Sequence, residues 1–287
     1  MPALAIVADS SACLPAELIE RYGIIIVPLS LLCDGEVFRD GALPPREFYA
    51  RMEAARQLPH TSSAAPGEFL EAFRCGQQRG ATSVLCLTLS AAYSGTHSAA
   101  VNARDLAARE LPGVNVQVAD THGLAMTHGF AVLAAARAAD SGASLEEAAA
   151  IAERVGSRAE MVGVLDTTRY LARSGRVPWI VHWAASLLRI KPILAVTDEK
   201  ARAIARPRTM ARALDVIIDY VGRRATPGAP LHAAVMHADA PQRAEDLAGR
   251  IRERFAPAEL LVTEFTSVMG VHTGPGFVGV AFYCEEG

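Results

Sequence analysis

Four short segments carry side chains able to bind or transform a small molecule. Leu89-Ser90-Ala91-Ala92-Tyr93-Ser94-Gly95-Thr96-His97-Ser98 follows an apolar run and opens a helical pattern. A glycine there lets a backbone approach a ligand, and the free N–H groups of a first helical turn point outward. With the hydroxyls of Ser94 and Thr96 added, the segment suits a carboxylate or a phosphate. Thr61-Ser62-Ser63 stands before Pro66 in an expected loop, and Asp9-Ser10-Ser11 stands just past the first expected strand. In open α/β sheets ligands gather at the carboxyl ends of strands, so these hydroxyls could converge, although Ser, Thr and Asp are equally ordinary helix caps. The fourth segment, His272-Thr273-Gly274-Pro275-Gly276, reads as a tight turn holding an imidazole and a hydroxyl.

Other chemistries find less support. Ser94 lacks a G-x-S-x-G elbow, since Tyr93 crowds the place where a glycine is needed. A hydrolase pairing Ser94 with His272 remains an alternative reading. There is no Walker loop, no G-x-G-x-x-G and no kinase signature, so no nucleotide site is expected. Cys13, Cys33, Cys75, Cys86 and Cys284 are odd in number and scattered. Reduced thiols in the cytosol fit better than a disulfide framework or a metal site. His237 and Asp239 alone do not make a metal site, and no metal or cofactor is expected.

The elements that must position these groups alternate. Apolar runs near 3–8, 24–32, 83–89 and 114–119 read as strands, with helical patterns near 45–55, 66–79, 95–110, 123–140 and 144–157. Strands apolar throughout and separated by helices imply an N-terminal, mostly parallel α/β/α sheet domain over residues 1–158. Residues 159–287 read as a second α/β domain. Its strands fall near 161–165, 191–197, 200–206, 231–236, 259–265 and 277–284, with helices near 207–224 and 240–255. The hairpin implied at Asp198-Glu199 makes that sheet mixed or antiparallel. An apolar helix around Trp179–Leu188, containing His182, packs in the core or lines a ligand channel.

The chain of 287 residues has net charge −3, which gives no reason to expect nucleic acid. Its start lacks a basic region before the apolar run and reads as a strand, not a secretion signal. No stretch reaches the roughly 18 apolar residues of a membrane span, so no stable membrane anchoring is expected. Between Arg169 and Arg212, however, ten basic residues face only Asp198 and Glu199. Such a belt suits an anionic partner.

In order and spacing these segments resemble the DegV family, whose best-understood members are fatty-acid-binding subunits of bacterial fatty acid kinase. The matching residues are Ile6-Val7-Ala8-Asp9-Ser10-Ser11 with Leu14-Pro15, Thr61-Ser62 with Pro66-Gly67-Glu68-Phe69, and Ser94-Gly95-Thr96 with Ser98-Ala99. They continue through Tyr170-Leu171, Gly175-Arg176, Ile190-Lys191-Pro192-Ile193-Leu194, Arg206, Arg208 and the His272–Gly276 segment. The resemblance implies a two-domain fold with an acyl chain buried between the domains. It implies a carboxylate held by Thr61 and Ser94, with Ser62, Gly95, Thr96, His272 and Thr273 as neighbouring ligand groups. It further implies that Arg176, with Lys191, Arg206 and Arg208, serves a separate kinase subunit that brings ATP and phosphorylates the bound carboxylate. The chain itself would then be a cytosolic lipid carrier and not an enzyme; a stand-alone binder or sensor of another apolar carboxylate is the alternative. Two stretches depart from the family's usual residues: Ser63-Ala64-Ala65, and Thr121 with Ala125, Thr127 and His128. The second is expected to bear on the choice of ligand.

Overall fold

A computed structural model describes residues 3–181 and 190–285. Its contacts divide the chain into two compact units, residues 1–30 with 62–157 and residues 31–61 with 158–287.

The first unit is built on a parallel sheet. The apolar runs form β1 (Leu4–Asp9), β2 (Ile25–Val27), β6 (Ser83–Thr88) and β7 (Asn115–Asp120), ordered β2-β1-β6-β7. Val7 pairs with both Ile25 and Cys86, and every pairing in the sheet is parallel. Parallel neighbours need crossovers, which the intervening helices supply. These are α1 (Ala16–Arg21), α3 (Pro66–Gln78), α4 (Thr96–Glu110), α5 (Met126–Asp140) and α6 (Leu145–Gly156). The start of α6 follows from sequence: Ser144 Oγ accepts the Glu147 amide at 3.2 Å, and the Glu147 carboxylate accepts the Ser144 amide at 2.8 Å. This reciprocal cap satisfies two donors that the first turn would otherwise leave unpaired. The long apolar run at 24–32 does not stay one strand. Pro28 has no N–H to offer a ladder, and the Leu29 amide turns to Ser10 Oγ at 3.1 Å.

The second unit carries a six-stranded mixed sheet in the order β10-β9-β8-β13-β11-β12. Its strands are β8 (Glu160–Val164), β9 (Ile193–Thr197), β10 (Lys200–Ala205), β11 (Leu231–His237), β12 (Glu259–Glu264) and β13 (Val278–Cys284). Only the β11–β12 pair is parallel. The hairpin expected at Asp198-Glu199 is present, with both residues at positive φ, 47° and 57°, the twist that suits a two-residue turn. Helices α8 (Met210–Arg224) and α9 (Pro241–Phe255) press Leu214, Ile217, Leu247 and Ile251 into the same core as Val162, Ile193, Val235 and Val280. Burying each such side chain contributes about 1.5–3 kcal/mol.

Residues 31–61 precede most of the first unit in sequence but pack with the second. They contribute β3 (Ser30–Cys33), β4 (Glu36–Arg39), α2 (Pro45–Ala54) and β5 (His60–Ser62), with the three strands ordered β4-β3-β5. One tie is the buried Asp40, whose Oδ1 accepts the Val268 amide at 3.2 Å at the start of α10 (Ser267–Thr273). A short helix α7 (Arg169–Ser174) and a single 3-10 turn at Pro178–Ile180 complete the unit's described helices. The apolar helix expected around Trp179–Leu188, in the core or lining a channel, lies mostly outside the described residues, as do His182 and, from the basic belt, Arg189. Among those residues, no helix is long and apolar enough to cross a membrane.

Candidate functional site

Thr61 lies within β5, not in the loop expected for it, and His272 lies in the last turn of α10, not in a tight turn. The tight turn begins one residue after Thr273, at Gly274. Thr61 Oγ1 and His272 Nε2 are 3.2 Å apart, while His272 Nδ1 is shut away from solvent without a hydrogen-bond partner. Burial, assisted by the positive charge of Arg176, lowers the His272 pKa to about 4. The imidazole is therefore neutral near pH 7 and carries one N–H. If that N–H sits on Nε2, it donates to Thr61 and leaves the Thr61 hydroxyl hydrogen free for an incoming anion.

The turn after α10 is shaped by close packing. Gly274 has φ +73°, and a Cβ there would run into the ring of Tyr170. Tyr170, on α7, is buried, and its phenol is held above the ordinary range, mainly by burial. Thr61, Tyr170, Arg173, Arg176 and His272 line one cavity of about 350 Å³, together with the 56–60 segment. This segment is anchored by Asp34, whose carboxylate accepts the Arg56 and Gln57 amides at 3.4 and 3.5 Å.

The other expected groups fall in two places. In the first unit, Ser94 Oγ accepts the Thr96 amide at 3.3 Å and lies 2.8 Å from Thr96 Oγ1. Thr96 is wholly buried, so its hydroxyl braces Ser94. Gly95 caps α4, and Ser62 donates to the Ser63 carbonyl at 3.2 Å. In the second unit, Thr273 Oγ1 reaches back to the Met269 carbonyl at 3.5 Å. Lys191 is taken up internally: its Nζ is 2.9 Å from Asp166, which Arg243 also contacts at 3.1 Å. Burial raises the Asp166 pKa, but these two cations outweigh it and hold the carboxyl below its usual value. Arg206 and Arg208 are both exposed.

One constellation was not anticipated. Asp9 is fully buried, and its Oδ1 accepts both the amide and the hydroxyl of Ser11, at 3.0 and 2.5 Å. Its Oδ2 accepts the Leu89 amide at 2.8 Å and faces His128 Nε2 at 3.5 Å. Burial pushes the Asp9 carboxyl up, but His128 and these hydrogen bonds prevail and hold it down. His128 Nδ1 lies 2.9 Å from Thr121 Oγ1, which donates to the Thr88 carbonyl at 3.0 Å. The network thus ties together the carboxyl ends of β1, β6 and β7, directly ahead of the Ser94 segment. Thr121 and His128 are spent on this buried support. The only sequence signal was an Asp at the end of β1 and a His inside an apolar helix.

Comparison with known proteins agrees with this architecture. A family model described as an uncharacterised protein of the DegV family matches residues 3–285. A DegV domain-containing protein of Streptomyces coelicolor is 38% identical over 278 residues, 96% of this chain and 97% of that protein. The solved structure of a DegV family protein from Thermus thermophilus, described for its fatty acid binding, superposes with a TM-score of 0.88. It is 30% identical and covers 99% of this chain and 100% of its own. DegV of Bacillus subtilis, a fatty acid binding protein, gives a TM-score of 0.86 at 26% identity, covering 99% and 100%. With a family match along nearly its whole length and the α/β architecture of those structures, this chain belongs to the DegV family.

Proposed function

We propose that this protein binds a long-chain fatty acid and presents its carboxylate to a separate ATP-dependent kinase subunit. The observation that carries the first part is the neutral, buried His272 held against the Thr61 hydroxyl. A neutral imidazole orients a hydroxyl toward an anion without forming a salt bridge with it. One carboxylate oxygen is then left free to act as a nucleophile. The fatty acid binding of the Thermus thermophilus and Bacillus subtilis relatives supports the ligand class. The roles of Ser62, Ser94, Gly95, Thr96 and Thr273 as further ligand groups rest on the family resemblance. An acyl tail contributes about 0.8 kcal/mol per buried CH₂, so the tail supplies affinity. The head must be hydrogen-bonded because an unpaired buried carboxylate is very costly.

Native mass spectrometry of the purified protein, followed by organic extraction, tests the reading. Release of a stoichiometric C14–C18 fatty acid is expected. An apo mass that stays unchanged after incubation with such acids would refute it.

A further inference from the structure

The buried network at the carboxyl ends of β1, β6 and β7 is built around a carboxylate that nothing else could replace. Asp9 and His128 are both wholly buried, where a charge is costly unless it is paired and hydrogen-bonded. Three donors converge on Asp9 and divide between its oxygens: the Ser11 amide and hydroxyl on Oδ1, the Leu89 amide on Oδ2. An asparagine would present an N–H₂ to one side or the other. Across from Oδ2, the His128 ring is oriented from its far end. The Thr121 hydroxyl gives its single hydrogen to the Thr88 carbonyl at 3.0 Å, so it accepts from His128 Nδ1 at 2.9 Å. Nε2 is thereby directed at Asp9 Oδ2, 3.5 Å away.

The Leu89 amide is the first of five consecutive amides held from behind. Those of Ser90 and Tyr93 reach the Gly123 and Ser90 carbonyls at 3.0 and 3.1 Å. The Ala91 amide reaches Asp120 Oδ2 at 2.9 Å, and the Ala92 amide reaches Ser90 Oγ at 3.2 Å. Ser94 comes next, followed by the Gly95 cap of α4.

We infer that Asp9 is a positioning residue: with His128 and Thr121 behind it, it fixes the backbone that carries Ser94, so that the Ser94 hydroxyl meets a ligand head group already in place. Preorganisation of this kind avoids ordering the segment at the moment of binding. It governs discrimination between head groups and leaves the tail alone. That role at the ligand rests on the fatty-acid reading; the ordering of residues 89–94 by Asp9 does not.

Titration calorimetry with dodecanoate and dodecanol, run beside amide hydrogen exchange of the ligand-free full chain, tests this. In Asp9→Asn the preference for dodecanoate over dodecanol should fall about tenfold or more while dodecanol binds as before, since a hydrogen bond to the charged head is lost and the tail is untouched. Exchange should quicken at residues 89–94 and not across the rest of the unit. Thr121→Val, which removes only the far end of the network, should shift both readouts in the same direction, and it decides the matter if Asp9→Asn does not fold. Leu133→Ala, at a buried apolar position on the same helix as His128, should lower stability without changing the preference. A parent with no preference, a preference unchanged in every network variant that folds, or an equal fall in Leu133→Ala overturns the inference and leaves Asp9 as an ordinary buried carboxylate. If neither amphiphile binds the parent, the fatty-acid reading falls. Quickened exchange confined to 89–94 would then keep Asp9 as the residue that orders the segment, and unchanged or uniform exchange would overturn that too.

Discussion

Thr61 and His272 stand 211 positions apart in the chain and meet side chain to side chain, with Oγ1 3.2 Å from Nε2. The contact joins β5, from an early excursion of the chain, to α10, near its end. It places a hydroxyl where its hydrogen is free only if the imidazole donates to it. Five measurements test this contact and other features of the structure.

Replacing Thr61 by Val keeps the volume and removes the hydroxyl. Fatty acid affinity should fall about tenfold or more, since a hydrogen bond to a charged group is worth roughly 1.5–3 kcal/mol. Titration calorimetry reads this directly, and an unchanged dissociation constant would remove Thr61 from the site.

His272 predicts an acid weakness. Its pKa is about 4 in the folded protein against an ordinary 6.5. Above pH 6.5 both folded and unfolded forms are neutral, so stability is fully present there. As pH falls from 6.5 towards 4 the unfolded chain takes up a proton that the folded chain refuses. This linkage removes about 3 kcal/mol in full. Urea midpoints at pH 7 and pH 4.5 should therefore fall further for the parent than for His272→Asn.

His232 acts with the opposite sign. Its Nδ1 is 3.1 Å from Glu259 and its Nε2 is 2.8 Å from Glu285, while the ring stacks on Tyr283 at 4.7 Å. To donate at both nitrogens the ring must be cationic. The Glu259 hydrogen bond leads in raising its pKa above 6.5, burial opposes it, and Glu285 adds to the rise. The stabilisation is fully present below pH 6.5 and is lost as pH rises through the raised value. An NMR titration of the His232 ring checks the direction, and His232→Gln should flatten this limb of the stability profile.

Gly274→Ala combines a left-handed φ of +73° with a Cβ placed in the Tyr170 ring. The loss should be roughly 2–4 kcal/mol. Gly228→Ala makes a useful comparison, since φ is +80° there with nothing within 4 Å. Thermal unfolding of both should show the larger drop for Gly274→Ala; equal drops would mean that Tyr170 yields.

Arg176→Glu tests presentation to the kinase. Phosphorylation of bound fatty acid by a kinase subunit with ATP should be lost, while extraction still recovers the lipid. Loss of the lipid itself would place Arg176 in direct contact with the carboxylate.

Much of the architecture was legible in the residues. Apolar strands alternating with helices announced the parallel sheet, because a strand buried on both faces cannot alternate polar and apolar positions. Asp198-Glu199 marked the β9–β10 hairpin, since two polar residues between strand runs favour a tight turn. The order and spacing of short motifs identified the family. Burial and pairing of distant residues were not legible. The strands at 36–39 and 60–62 are too short to show a period. The packing of 31–61 with the second unit depends on contacts such as Asp40 with the Val268 amide, 228 positions away. Likewise, a lone aspartate and a lone histidine gave no sign that Asp9 and His128 share one buried network. Periodicity reports which face of an element is covered, and short motifs report which groups are available. Which groups meet, and which are neutralised as Lys191 is by Asp166, is decided only when packing brings together residues that the chain keeps far apart.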